Sequence, residues 1–94
     1  MKLRWTRVAT RDLQSVWEFI SDENESAADQ VIEHISFAVE QLQRHPRLGR
    51  PGRLSETREL SIIGTPYLIA YRVVRQGIQI LAVLHGARRW PDSF

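Results

Sequence analysis

The ionisable side chains of this sequence are dominated by arginine, because twelve of the thirteen basic residues are arginines. The guanidinium group is planar and donates two parallel hydrogen bonds to a carboxylate or a phosphate. An excess of arginine over lysine therefore favours an anionic partner. Codon usage explains the ratio equally well, but it does not explain where along the chain the charges lie.

The charges are segregated along the chain. Residues 1–11 contain four basic residues and no acid, whereas residues 12–40 contain eight acidic residues and neither lysine nor arginine. Residues 44–94 contain nine arginines and three acidic residues. The formal net charge of +2 thus hides an acidic middle between two basic parts. The acidic middle is either a solvated surface, which is the simpler interpretation, or a docking site for a basic segment of a partner.

Other reactive side chains are few. The sequence has no cysteine, which excludes a thiolate metal site and a cysteine nucleophile. His34 and His45 have no paired carboxylates nearby, so we expect no metal and no cofactor. Imidazole side chains can act as acids or bases in catalysis, so His85 is a candidate for proton transfer, although a single histidine at a strand end is more often structural.

Two basic segments are candidates for contact with nucleic acid or another target. Residues 45–56 contain two prolines, two glycines and three arginines, a composition that predicts a loop. The tail, residues 87–94, combines two arginines with two aromatic residues. The candidate contacts in these segments are Arg50, Arg53, Arg89 and Trp90.

Two helices are predicted in the first half of the chain. After an alternating segment at residues 2–6 that predicts a strand, apolar residues recur every three or four positions from about Val8 to Asp22 or Glu23. Ser26 and Asp29 resemble a capping pair, and a second apolar stripe then continues through about Arg44. Since the connection is short, the two helices must be antiparallel, and Pro46 ends the second one.

Three strands are predicted after the loop, at residues 57–63, 67–74 and 78–85, with hairpin-length connections. The element order β-α-α-β-β-β predicts an α+β fold in a single domain of residues 1–94, with an antiparallel meander sheet and an N-terminal helical hairpin packed on one of its faces. We expect the face without helices to carry Arg58. The aromatic residues predicted to point into the core are Trp5, Trp17, Phe37 and Tyr67.

Four segments, in their order and spacing, indicate a family: Pro46, Gly49 and Arg50 after the helical hairpin, TREL at 57–60, PYLIAYRV at 66–73 and ILAVLHGAR at 80–88. Together they resemble the RelE/ParE superfamily of bacterial toxins from type II toxin-antitoxin modules. The resemblance extends over nearly the whole chain. It implies growth arrest, a role in plasmid stabilization and a cognate antitoxin as partner in a hetero-oligomer.

The superfamily has two activities on one fold. RelE-like members are mRNA interferases that cleave mRNA in the ribosomal A site, whereas ParE-like members inhibit DNA gyrase. Matching Tyr71 to the tyrosine of the penultimate strand puts Arg88 on a catalytic arginine of the RelE-like members and Arg58 near a catalytic lysine. The same match puts Leu68 and Phe94 where those members have an arginine and a tyrosine. The candidate catalytic set is therefore incomplete; it comprises Arg58, Tyr71, His85 and Arg88.

Cleavage of RNA by its 2′-hydroxyl requires a base, an acid and positive charge at the phosphorane. His85 could be base or acid, and the arginines could stabilise the charge, but the phenol of Tyr71 would need a shifted pKa. The segment LHGAR also resembles the end of many ParE-like sequences, where the histidine need not be catalytic. We therefore favour inhibition of gyrase; the alternatives are an mRNA endonuclease and a nucleic-acid-binding module without toxicity.

The expected location is the cytoplasm. The first residues do not resemble a secretory signal, and no apolar run approaches the length that spans a membrane. We expect a protein antitoxin and either gyrase or ribosome-bound mRNA as partners, and neither a membrane nor a small-molecule substrate.

Overall fold

The computed structural model describes residues 1–87 and 90–94. The chain forms β1 (Lys2–Trp5), α1 (Arg7–Ser21), α2 (Glu25–Gln41), β2 (Arg50–Pro51), β3 (Arg58–Ser61), β4 (Tyr67–Val74) and β5 (Gly77–His85). The predicted α+β fold and its element order are confirmed. The short strand β2 is an addition within the predicted loop, where it pairs with the start of β3.

The five strands form one sheet in the order β1-β5-β4-β3-β2. The predicted meander is present, because β3, β4 and β5 are antiparallel neighbours. The sheet is nevertheless mixed and not purely antiparallel, since β1 runs parallel to β5. The helical hairpin separates β1 from the meander, so no tight turn determines the direction of β1.

Both helices begin at a polar side chain that caps the first turn. Thr6 accepts a hydrogen bond from the backbone N–H of Ala9, and Asn24 accepts one from Ala27. The predicted capping residue Ser26 is therefore wrong, and it lies inside α2. Asparagine is at least as good a cap as serine, and here it is also the last residue with an extended backbone before the helix.

The core lies between the helices and one face of the sheet. Ile35, Val39 and Leu42 of α2 are almost fully buried against strand residues such as Ile69 and Ile80. The prediction that Phe37 points inward is wrong, because its side chain is 67% exposed. It follows Ile35 by two residues, about 200° around the helix axis, which directs it away from the core.

The face of the sheet that carries no helix is called the outer face below. Leu3, Trp5, Tyr67 and Tyr71 belong to the core or pack against it, so alternate residues of the same strands project on the outer face. Ala70 and Ala82 are paired there and buried. Neither of the described helices is long and apolar enough to span a membrane.

Candidate functional site

Tyr71 occupies the centre of the predicted catalytic set, and it is fully buried. Its hydroxyl donates a 2.8 Å hydrogen bond to the carbonyl oxygen of Pro46 and accepts one of 2.8 Å from the N–H of Gly49. Burial raises the pKa of the phenol, and the Gly49 hydrogen bond and the nearby Arg58 guanidinium oppose that rise. Both polar functions of this hydroxyl are thus used within the fold, where they fasten the chain leaving α2 to β4.

Arg58 also stabilises the contact between β4 and the chain that leaves α2. It pairs with Tyr71 across β3 and β4, and directly paired residues of antiparallel strands share a face. The expectation that Arg58 lies on the outer face is therefore wrong, since Tyr71 faces the core. Alternation assigned Arg58 and Leu60 to one face but did not show which face the helices cover. The Nη1 atom of Arg58 donates a 2.6 Å hydrogen bond to the carbonyl oxygen of Gly49.

Gly49 is thereby held at both its N–H and its carbonyl group. A Cβ at this position would lie 2.7 Å from the Cε1 and hydroxyl oxygen of Tyr71 and 2.8 Å from the carbonyl oxygen of Glu59. Such distances are too short for non-bonded atoms, so the close approach requires glycine. We call Gly49, Arg58 and Tyr71 the exit clamp, because they fix the chain where it leaves α2.

His85 lies at the other end of β4 from the exit clamp. It pairs with Tyr67, whose ring it meets edge-on with centroids 5.5 Å apart, and its Nδ1 accepts a 3.2 Å hydrogen bond from the N–H of Ala87. Tyr67 precedes Tyr71 by four residues, a separation of about 13 Å along a strand. The structure therefore does not bring His85 together with Arg58 and Tyr71.

His85 instead lines an open cleft of about 400 Å³ between α1 and β5. Asp12 is in the same cleft, and its carboxylate accepts a 3.0 Å hydrogen bond from the backbone N–H of Val83. Burial raises the pKa of Asp12, and the hydrogen bond opposes the rise. Arg88 and Arg89, the remaining predicted catalytic arginine and a predicted contact, lie outside the described residues.

The predicted contact residues Arg50, Arg53 and Trp90 do come together. The guanidinium carbon of Arg53 lies 3.6 Å above the centre of the Trp90 ring, a cation–π contact. Glu59 bonds both arginines. Its carboxylate accepts a 3.3 Å hydrogen bond from Nη2 of Arg50 and one of 2.8 Å from the backbone N–H of Arg53. The side chain of Glu59 is 4% exposed.

Sequence reasoning missed Glu59 and Arg72. Glu59 was visible as one of two acids among the arginines of residues 44–58 and their neighbours, but only the fold shows that it is buried and bonds Arg50 and Arg53. Arg72 projects on the outer face beside Gln79, and its Nε is buried with no hydrogen-bond partner among the described residues. Alternation along β4 places Arg72 on the face opposite Tyr71, because the two residues are adjacent in the strand.

No group of three or more His, Asp and Glu side chains within the described ranges is placed to hold a metal ion. Arginine side chains such as those of Arg50 and Arg53 are suited to binding anions, whereas the acid-base groups among the described residues are dispersed. The arginines converge near the loop between α2 and β3, and the imidazole of His85 lies at the opposite end of the sheet.

Known proteins resemble this chain in sequence and in fold. A protein of Sinorhizobium fredii (strain NBRC 101917 / NGR234) described as "Putative toxin Y4kP" is 40% identical over 91 residues, which are 97% of this chain and 94% of that protein. A solved structure titled "Chromosomal ParDE TA system from P. aeruginosa" superposes with a TM-score of 0.82 and 28% sequence identity, covering 90% of this chain and 95% of that one.

A family model confirms the predicted superfamily and distinguishes its branches. The model described as "ParE toxin of type II toxin-antitoxin system, parDE" matches residues 3–90, from β1 through Trp90. That range includes both helices and all the strands except the first residue of β1. The chain therefore belongs to the ParE toxin family of type II toxin-antitoxin systems.

Proposed function

We propose that this protein arrests bacterial growth by inhibiting DNA gyrase in the cytoplasm, and that a cognate antitoxin neutralises it. The match to the ParE family over residues 3–90 is the observation that carries the proposal. The relative from Sinorhizobium fredii is described only as a toxin, so the choice of gyrase as target rests on the family.

The geometry of the predicted catalytic set supports a binding mode of action over RNA cleavage. General acid-base catalysis requires proton-transfer groups within hydrogen-bond reach of the same substrate. Tyr71 is buried with its hydroxyl engaged twice, and His85 lies about 13 Å further along the strand direction. The described residues thus offer anion-binding arginines more readily than an acid-base pair.

An apolar groove supports an antitoxin as partner. The groove has a volume of about 440 Å³ and lies between α2 and the end of β3. Three exposed apolar residues surround it: Phe37 (67%), Leu48 (53%) and Ile63 (93%). Since exposed apolar clusters on small proteins are typical of interaction sites, we propose that apolar residues of the antitoxin bind here.

The strand edge beside the groove favours an extended occupant. β2 pairs only with Arg58 and Glu59, so within the described residues no strand covers Leu60 and Ser61 on that side. An exposed strand edge carries unpaired backbone N–H and C=O groups that can accept another strand. The antitoxin segment would then pair with β3 while its apolar side chains occupy the groove along α2.

Expression in a bacterial host tests the toxin function. We expect the chain alone to arrest growth, and co-expression of the antitoxin from the same module to restore it. Phe37→Asp should prevent this rescue without removing toxicity, because it places a charge in the groove only. Val8→Asp, which changes an exposed apolar residue of α1, is the matched control and should be rescued normally. Growth at confirmed soluble expression of the unchanged chain would exclude the toxin function.

A further inference from the structure

The outer face carries a row of basic side chains that lie far apart in the sequence. Leu3 and Trp5 pack against the core, so Lys2 and Arg4 project on the opposite side of β1. The register places Arg4 beside Gln79 of β5, and Gln79 beside Arg72 of β4. Parallel pairing of β1 with β5 thus brings the N-terminal basic residues onto the same face as Arg72.

Two adjoining clefts connect this row to the loop that precedes β3. The smaller, of about 250 Å³, is lined by Lys2, Arg4 and Gln79, and the larger, of about 870 Å³, by Arg53, Arg72 and Arg75. Val74 lines both clefts, so they adjoin at this residue. The basic strip, defined here as Lys2, Arg4, Arg72 and Arg53, extends across β1, β5 and β4 to the loop.

Within the described residues, no member of the basic strip forms an ion pair. The ion pair found among the described residues joins Arg50 to Glu59, and neither of these residues belongs to the strip. Glu56 lines the larger cleft, and the nearby carboxylate of Glu59 is already bonded to Arg50 and to the backbone N–H of Arg53. The eight acids of residues 12–40 belong to the helical hairpin or its turn, on the other side of the sheet.

Two buried donors at the strip also lack acceptors. The Nε of Arg72 and the Nε1 of Trp90, whose ring supports Arg53, are buried without a hydrogen-bond partner in the described part of the chain. Buried donors in native proteins are nearly always paired, with protein, water or a ligand. Both donors here are N–H groups, so the partner of each must be a hydrogen-bond acceptor.

We propose that the basic strip binds the phosphodiester backbone of nucleic acid, independently of any protein target. Protein–DNA interfaces are more polar and much more positively charged than protein–protein interfaces, and arginine bonds phosphate oxygens in two parallel contacts. The acidic helical hairpin repels the same polyanion, so the protein binds it with the outer face alone. This activity goes beyond inhibition of gyrase, because it requires neither gyrase nor antitoxin.

Fluorescence anisotropy with a labelled 20-base-pair duplex of mixed sequence tests the proposal on the full chain. Four phosphate contacts predict a slope of about −3.6 in the logarithm of affinity against the logarithm of salt concentration, hence a loss on the order of a hundredfold between 50 and 200 mM NaCl. Arg4→Gln and Arg72→Gln should each weaken binding and reduce the slope by about 1. Arg11→Gln removes the same charge from an exposed position of α1 and should leave both unchanged.

Three results would overturn the proposal. The first is an absence of binding at 50 mM NaCl. The second is an equal loss of affinity for Arg11→Gln, which would show that binding depends only on net charge. The third is tighter binding of a polyglutamate peptide than of the duplex, which would indicate an acidic protein partner. Circular dichroism of each variant checks that the fold is retained. Because no gyrase is present, failure of this binding leaves growth arrest intact, and failure of growth arrest leaves the binding result intact.

Discussion

Two of the four residues predicted to be catalytic have a clear structural role. The hydroxyl of Tyr71 joins Pro46 to Gly49, and the guanidinium of Arg58 holds the carbonyl group of Gly49. Residue type alone could not separate these roles, because a tyrosine that bonds the backbone and one that transfers a proton are identical in sequence. Burial separates them: a fully buried phenol whose two hydrogen bonds are made cannot reach a substrate.

Tyr71→Phe tests the exit clamp. The substitution keeps the ring but leaves the carbonyl group of Pro46 and the N–H of Gly49 unpaired, so we expect the free energy of unfolding to fall by about 1–3 kcal/mol. Urea denaturation measures it. Tyr67→Phe is the control, since the Tyr67 hydroxyl has no hydrogen bond within the described residues, and it should change stability much less. Equal losses for the two variants would contradict the clamp.

The raised pKa of Tyr71 predicts a loss of stability in alkali. Burial keeps the phenol protonated in the folded chain at a pH where the unfolded chain has begun to lose that proton, near 10. The unfolded state then binds fewer protons, so the contribution of this group is complete below about pH 10 and is lost as the pH rises through the folded pKa. Urea denaturation between pH 8 and 11 should show a steeper fall for the unchanged chain than for Tyr71→Phe. Parallel curves would show that Tyr71 is not the cause.

At the scale of elements, the sequence predicted which helices and strands exist, and in what order, better than it predicted the direction of the strands and the residues where elements begin and end. Strong periodicity identified α1, α2 and the meander, and β4 was predicted with its observed bounds, Tyr67–Val74. The two-residue strand β2 was missed because Arg50–Pro51 is too short for any alternation. Similarly, the parallel pairing of β1 depends on contacts between distant residues, which a local pattern does not contain.

Hydrogen exchange tests which helices and strands of the toxin contact the antitoxin. We expect the antitoxin to slow exchange in α2 and at residues 60–63, because an extended segment in the groove would pair with the free edge of β3. Mass spectrometry of peptides from the toxin alone and from the complex measures the difference. Ile63→Asp should reduce the protection, whereas Val8→Asp should not. Protection confined to residues 45–56 would contradict binding along the helical hairpin.

At the scale of the whole molecule, the segregation of charge along the sequence becomes a segregation between faces. The acidic stretch forms most of the helical hairpin, and Lys2 and Arg4 of β1 meet Arg72 of β4 on the outer face. The sequence predicted Arg53 and Trp90 as contacts in two separate basic segments, and the structure brings the two side chains together. It could not include Lys2, Arg4 and Arg72, because only the sheet order β1-β5-β4 makes them neighbours.

Parallel assays of gyrase and translation with the purified protein test the central claim, that this ParE-family toxin acts on gyrase. We expect it to abolish supercoiling of a relaxed plasmid by gyrase, to leave cell-free translation and its mRNA intact, and to lose its effect when antitoxin is added in equal amount. Arg53→Gln should weaken the inhibition more than Arg11→Gln, since Arg53 belongs to the basic strip and Arg11 lies on α1. Uninhibited gyrase together with cleaved ribosome-bound mRNA would contradict the account and identify the protein as an mRNA endonuclease.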